Sequence, residues 1–374
     1  MKRLNNERGI ALAVAIFALV VVGGLVAGSL FVATQEQRVG RNTLQQQTAF
    51  NAAEGATQEV LLNWATGTYN SMNVGGTVTT TGTAPGGGWY RRSVQRLSQM
   101  IYVVRTDGFN RDSTSRQRVG SLMRLRPLAF DIRAALTTQG QVRLGGSSQI
   151  SGSDQQPTGW ADCPALSPTE AGIKMPDPSL LNSQNCQNQN CITGDPPVEK
   201  DTTITGESLT MVGDIPFDSL KTFATKIVYP SGTPKIQPVW NLTTLACTTA
   251  NQYNWGRPTL PAGPCGNYFP IIWVNSSISI NGIEGQGVLI VNGDLDVQGG
   301  FSFFGPVIVR GVLNTQGTGG HFNGGVIAAN VNLDQNVVLG DAVINYSTCA
   351  LIKALTASAT AFQMREPQSP STGK

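Results

Sequence analysis

Charge is scarce in this chain of 374 residues: Asp, Glu, Lys and Arg together make 13%, about half the share usual in soluble domains. There is one histidine, His321, no proline before Pro85 and no cysteine before Cys163. Each shortage excludes something. A net charge of +3 is too small to argue for nucleic acid or an anionic membrane as partner. A single histidine, with the closest cysteines Cys186 and Cys191, does not make the paired ligand spacing of a zinc site. No Gly-x-Ser-x-Gly elbow and no phosphate-binding glycine loop occurs. No catalytic, cofactor-binding or metal-binding residue is therefore assigned, and the chain is read as a non-enzyme. Glycine is abundant instead, at 43 residues. With many Thr, Asn and Gln, this composition fits a β protein outside the cytoplasm.

Residues 10–33 carry no charge. A bilayer core takes about 20 apolar residues as helix, so this run is long enough to span one. Lys2, Arg3 and Arg8 precede it, which leaves the N-terminus in the cytoplasm and the rest of the chain outside. A cleaved secretory signal is the alternative, with Val26-Ala27-Gly28 before Ser29 as the cut. Past the apolar run, Phe50, Ala53, Thr57, Val60, Leu61 and Trp64 keep the three-four spacing of one helical face. The spacing predicts one helix over 10–65, transmembrane over 10–33.

Residues 67–88 are rich in Gly, Thr, Asn and Ser and read as a loop. Strands are expected over 89–95, 99–107 and 116–126, where Met100-Ile101-Tyr102-Val103-Val104 is the clearest. Residues 66–136 thus form a small α+β head on the outer half of the helix, and residues 130–136 read equally as helical turn or strand. The arginines here, among them Arg91, Arg92, Arg105, Arg116, Arg118 and Arg124, are expected to form a solvated face rather than a polyanion groove. Residues 137–266 read as an irregular cysteine-containing region, with one helical piece over 217–227.

The six cysteines are Cys163, Cys186, Cys191, Cys247, Cys265 and Cys349. All follow the apolar helix, and in an oxidising compartment they read as up to three disulfides of undetermined pairing.

Residues 267–350 repeat. Ile271-Ile272-Trp273-Val274, Leu289-Ile290-Val291, Val307-Ile308-Val309, Val326-Ile327-Ala328 and Val343-Ile344-Asn345 recur at a period of about 18, in the solenoid range. A second set, Ile278/Ile280, Leu295/Val297, Leu313/Thr315 and Val331/Leu333, follows the first, and Phe303, Phe322 and Leu339 make a third. Short strands with Gly, Asn and Asp corners at this period predict a parallel β-helix-like solenoid. Residues 351–374 are expected to be a disordered tail. Parallel β-helices include enzymes, but Asp294, Asp296, Asp334 and Asp341 stand at corners, where acids bond backbone. Arg310 is nearly alone among them. A Ca²⁺ site at these corners or near Asp154 has oxygen ligands but no recognised loop pattern.

The N-terminal region resembles type IV pilus assembly proteins of the PilX kind. The matching residues are Arg8-Gly9-Ile10-Ala11-Leu12, then Glu36-Gln37-Arg38-Val39-Gly40-Arg41-Asn42 and, most specifically, Ala49-Phe50-Asn51-Ala52-Ala53-Glu54. Gly287-Val288-Leu289-Ile290-Val291-Asn292-Gly293-Asp294 and Tyr346-Ser347-Thr348-Cys349 look like the large β domains that some of these proteins carry. The resemblance implies a leader of residues 1–9, removed after Gly9 by prepilin peptidase. It also implies methylation of the new amine on Ile10 and packing of the helix among other pilins and minor pilins. It implies single-pass residence in the inner membrane with a periplasmic domain, then passage to the pilus or cell surface. A tip adhesin is a further partner, and nucleic acid is not. Major pilins carry Glu at the fifth mature position, where this chain has Val14. PilX-like proteins and the K-type pseudopilin of type II secretion share that departure. The expected role is a minor pilin that initiates or caps a type IV pilus at its tip. The alternatives are a K-like pseudopilin and a membrane-anchored adhesin with a β-helix binding domain.

Overall fold

A long N-terminal helix is followed by a mainly β region. The computed structural model describes residues 7–128, 130–186, 190–206, 211–212, 215–316, 319–333, 342–357 and 359–364. They form two compact units, one of Met1–Asn63, Thr77–Gln95 and Val103–Leu122, the other of Trp64–Gly76, Arg96–Tyr102 and Met123–Lys374.

In the first unit, helix α1 runs over Glu7–Leu62, at 1.5 Å per residue a rod of about 84 Å. Its sequence has no proline to stop it. The sheet beside it takes strands in the order β1 (Thr77–Thr83), β2 (Trp89–Arg96), β3 (Ile101–Phe109) and β4 (Arg116–Arg126). Strands β2 to β4 lie where alternation predicts them. Strand β1 was expected to be loop, because Thr77-Val78-Thr79-Thr80-Thr81-Gly82-Thr83 is nearly all polar. It pairs antiparallel with β2 in unbroken register from Thr77↔Gln95 to Thr83↔Trp89, as the β-branched threonines favour.

The helix meets the sheet through small residues. Ala49, Ala52, Ala53, Ala56, Thr57 and Val60 are buried. A Cβ placed on Gly108 would strike the Ala49 carbonyl and stand 2.5 Å from the Ala53 nitrogen; one on Gly88 would stand 3.1 Å from the Ala52 Cβ. Phe50, expected on the packed face, is exposed. At this close approach only alanines fit against glycine, so the contact stripe is set by small size rather than by greatest hydrophobicity. Arg92 fastens the seam, donating to the Ala56 carbonyl at 2.7 Å and to Glu59 at 3.2 Å, while the Tyr90 hydroxyl donates to Glu59 at 3.0 Å.

In the second unit, strands pair in parallel along three columns. The first runs through Lys226, Ile272, Leu289, Val307, Val326, Leu136, Ile173 and Val198. The second runs through Ile278, Leu295, Leu313, Val331, Val142 and Leu181. The third runs through Gly285, Phe303, Phe322, Ile344, Ile150 and Ile192. The apolar interior between the columns is continuous, from Val228 and Ile236 to Ile173 and Met175. The periodic strands of 271–345 fall in these columns as their spacing predicts; Leu339 lies outside the described residues.

The threading is the unexpected part. The chain enters the columns in the middle, with Ala134–Thr138 beside residues 326–328, and builds outward to Val198–Lys200. It then resumes at the opposite end with Lys226–Val228 and works back, so that its last turn lies against its first. The region 137–266, expected to be irregular, therefore carries column strands: Val142–Gly146, Gln149–Ser151, Ala171–Met175, Leu181–Cys186, Ile192–Thr193 and Val198–Lys200. Its repeat is hidden because the step from Leu136 to Ile173 is about twice that from Leu289 to Val307.

The helical piece expected over 217–227 is a 3-10 turn at Phe217–Phe223. The tail expected over 351–374 is ordered in part. Thr348–Ala357 is a helix and Thr360–Gln363 a strand that pairs antiparallel with residues 123–126. Residues 365–374 lie outside the described set. The helix starts where the Asp154 carboxylate accepts from the Thr348 N–H at 2.8 Å, which satisfies one of the donors a helix start leaves open. Its Ala354 packs with Phe217, Leu220, Ile290 and Ile308.

Candidate functional site

The feature that the fold leaves unexplained is the first half of α1. Every side chain from 12 to 44 is exposed, including Val14 at 61% and Phe17 at 70%. Residues 49–60 of the same helix bury one stripe against the sheet. One continuous helix thus has a half that belongs to its own unit and a half that belongs to nothing else described. From Leu12 it is long and apolar enough to cross a membrane, and such a surface in water would be a strong driver of association. Gly23, Gly24, Gly28 and Gly40 have nothing within 4 Å of a Cβ position, so small residues along this half give access to another helix or to lipid.

The processing residues Gly9 and Ile10 fall within α1; their side chains lie outside the described set. Val14 stands four residues after Ile10 on the exposed part. The cysteines group differently. Cys163 pairs with Cys349, and Cys247 with Cys265. Cys191 is disulfide-bonded, while the Cys186 side chain lies outside the described residues. The first bridge ties the insertion before Ala171–Met175 to the C-terminal helix, against Trp160. The second closes a loop over the Lys226 end of the columns. There Lys226 occupies a position of the apolar first column. Its ammonium donates to the carbonyls of Thr249 at 2.8 Å and Asn251 at 2.7 Å. Burial pulls its pKa down to about 8.

The acids considered for catalysis or Ca²⁺ are engaged with the backbone and with each other's strands. Asp294 accepts from the Val312 N–H at 2.7 Å and Asp296 from the Asn314 amide at 2.8 Å. Asp154 accepts from Ser167 and Thr348. Asp334 and Asp341 lie outside the described residues. Arg310 reaches Asp218 at 3.2 Å and Asn292 at 2.9 Å. No group of three or more His, Cys, Asp or Glu is gathered among the described residues.

Sequence reasoning missed Asp107. It is the lone acid among the arginines of β2 to β4 and is their centre. Arg118 holds it at 2.7 Å, Arg116 at 2.9 Å and Arg91 at 3.6 Å. Its side chain is 9% exposed. The hydrogen bond from Arg118 leads in pulling its pKa down to about 2, against the opposing effect of burial, with Arg116 adding to the pull. A depressed folded pKa stabilises the fold fully above the ordinary Asp value and loses that contribution as pH falls through about 2. An Asp107→Asn variant should be less stable than wild type by about 1–3 kcal/mol at neutral pH. The gap should hold down to about pH 4 and close near pH 2. Thermal melts of both proteins across this range test it; a gap unchanged at pH 2 would assign the loss to packing.

No family model matches the chain, and no curated protein matches it. Among solved structures it is similar to the competence-associated pilin ComZ from Thermus thermophilus, at 9% identity over 86% of this chain and 98% of that one, with a TM-score of 0.26. A likeness at this level carries no argument about this chain.

Proposed function

We propose that the protein is a minor pilin of the PilX kind that initiates or caps a type IV pilus. The observation that carries this reading is the division of α1 into a packed outer half and a bare apolar inner half, joined without a break. A protein that only needed an anchor could end its helix at the membrane. A protein that is handed from bilayer to filament needs an inner half that presents apolar surface in both settings. In this reading the mature chain begins at Ile10, spans the inner membrane once over 10–33 and carries its head in the periplasm. The three parallel columns form a β-helix-like solenoid, and the partners are other pilins and minor pilins. A tip adhesin is a further partner. Val14 supports an end position. A filament subunit with Glu there offers a carboxylate to a neighbour's buried amine, and an amine left unpaired in an apolar bundle is costly.

Mass spectrometry of sheared pili tests this. The protein should be present with N-methylated Ile10 as its first residue, at far lower copy than the major pilin. Met1 or Ser29 as first residue would remove the pilin reading. Copy numbers equal to the major pilin would remove the end position.

A further inference from the structure

The sheet of the first unit turns one face to α1 and the other away from it. Alternation along the strands puts Arg91 of β2, Arg105 and Asp107 of β3, and Arg116 and Arg118 of β4 on the outer face. Three guanidiniums therefore stand around one carboxylate, and Arg105 shares their face two residues from Asp107 along the same strand. The Asp107 oxygens are spent inward on Arg91, Arg116 and Arg118, whereas those three side chains are 56%, 47% and 60% exposed. One negative charge holds like charges together that would otherwise repel, and a surplus of positive charge remains on the surface. Guanidinium presents its donors in a rigid fork that fits carboxylate and sulfate oxygens, so the N–H groups not used by Asp107 are already oriented for an external anion.

Beside this array, β1 exposes Thr77, Thr79, Thr81 and Thr83 in one row, with Thr81 directly opposite Arg91. At the end of the array Trp89 and Phe109 stack on each other at 4.0 Å and 8°, with Arg116 over the Phe109 ring. We infer that this outer face binds an acidic polysaccharide, which sets its anionic groups on Arg91, Arg105, Arg116 and Arg118 and its hydroxyls along the threonine row. The hydroxyl row favours a sugar chain over other polyanions. A single-stranded nucleic acid needs a series of open aromatic faces on which bases stack; here each ring spends one face on the other, and Arg116 lies over Phe109. Membrane docking needs apolar side chains among the basic ones; here the apolar pair Trp89 and Phe109 stands at the end of the array and packs on itself, and Asp107 stands between Arg91 and Arg118.

The test uses the full-length protein in detergent micelles, with polygalacturonate, neutral dextran and single-stranded DNA as probes in biolayer interferometry. Polygalacturonate should bind, more weakly as salt is raised, and dextran should not. The double variant Arg116→Gln/Arg118→Gln should bind about tenfold or more weakly. Because that variant also strips Asp107 of partners, Arg105→Gln is the second probe. It leaves the three ion pairs of Asp107 intact and should weaken binding about threefold with an unchanged melting temperature. Failure of wild type to bind polygalacturonate, equal binding by both variants, or equal binding of dextran would each overturn the inference. So would tighter binding of DNA with the same arginine dependence.

Discussion

A Gly108→Val variant should lose the docking of α1 on its sheet. The Cβ position of Gly108 meets the Ala49 carbonyl and the Ala53 nitrogen and lies 2.9 Å from the Ala53 Cβ. All three belong to helix backbone or to the first side-chain atom, so no rotamer change can relieve the clash. The helix must move away as a rod. Moving it uncovers Ala49, Ala52, Ala53, Ala56 and Val60 and draws the Ala56 carbonyl off the buried Arg92. Overpacking of a tight contact costs about 1–3 kcal/mol, and a buried guanidinium losing an acceptor adds about 1–3 kcal/mol. The expected loss is about 3 kcal/mol or more, among the largest for a single change in this unit. Gly88→Ala should also destabilise but cost less. Its Cβ would stand 2.8 Å from the Phe109 carbonyl and 3.1 Å from the Ala52 Cβ, so the strands must shift slightly, whereas a Cβ at Gly108 meets two backbone atoms of the helix at closer range. Gly120→Ala meets nothing within 4 Å and should leave stability unchanged. Thermal melts of the three variants, with proteolysis of α1 as a local readout, should rank them in that order. A Gly108→Val protein that melts like wild type would mean that the helix is not held at this seam.

This seam also shows what the sequence makes legible. The long helix was readable because its three-four spacing runs unbroken, and β2 to β4 because their alternation is strong. The packed stripe was misplaced at Phe50. Hydrophobicity ranks Phe first, yet the contact is decided by how closely two backbones approach, which a one-dimensional pattern does not carry. The same holds for Asp107: one acid among many arginines carries no periodic signal, and its role exists only once three strands lie side by side. In the second unit the repeat was readable from 271 onward, where each turn has nearly the same length. The earlier turns obey the same pairing, but long insertions between Ile150 and Ala171 destroy their period. That the chain enters the columns in their middle leaves no trace in periodicity, since stacking order and chain order are independent. The Cys163–Cys349 pairing was likewise beyond reach, because these residues come together only through that return of the chain.

The threading leads to the second large effect, at Leu289. This residue is fully buried in the first column, in register with Ile272 on one side and Val307 on the other. Its neighbour Ile290 points the opposite way, into a separate cluster with Phe217, Leu220 and Ala354. A Leu289→Asp change puts a carboxyl in a dry interior, costing several kcal/mol or raising its pKa until it is neutral. Leu289→Ala, with an expected cost of about 2–5 kcal/mol, is the variant that should still fold. Turns of a stack contact only their neighbours, so the damage should travel along the column. Amide exchange should quicken first at residues 272–274 and 307–309 together, though they lie far apart in sequence. It should reach 326–328 and then 134–138, in column order rather than chain order. Ile290→Ala should instead loosen the 217–223 turn and the C-terminal helix while sparing residues 134–138. Exchange that quickens only at the residues next to Leu289 in sequence would mean that the turns are independent loops. Spread into 134–138 before 360–363 would instead show the last turn passing strain directly to the first, as their pairing through Val326 and Leu136 requires.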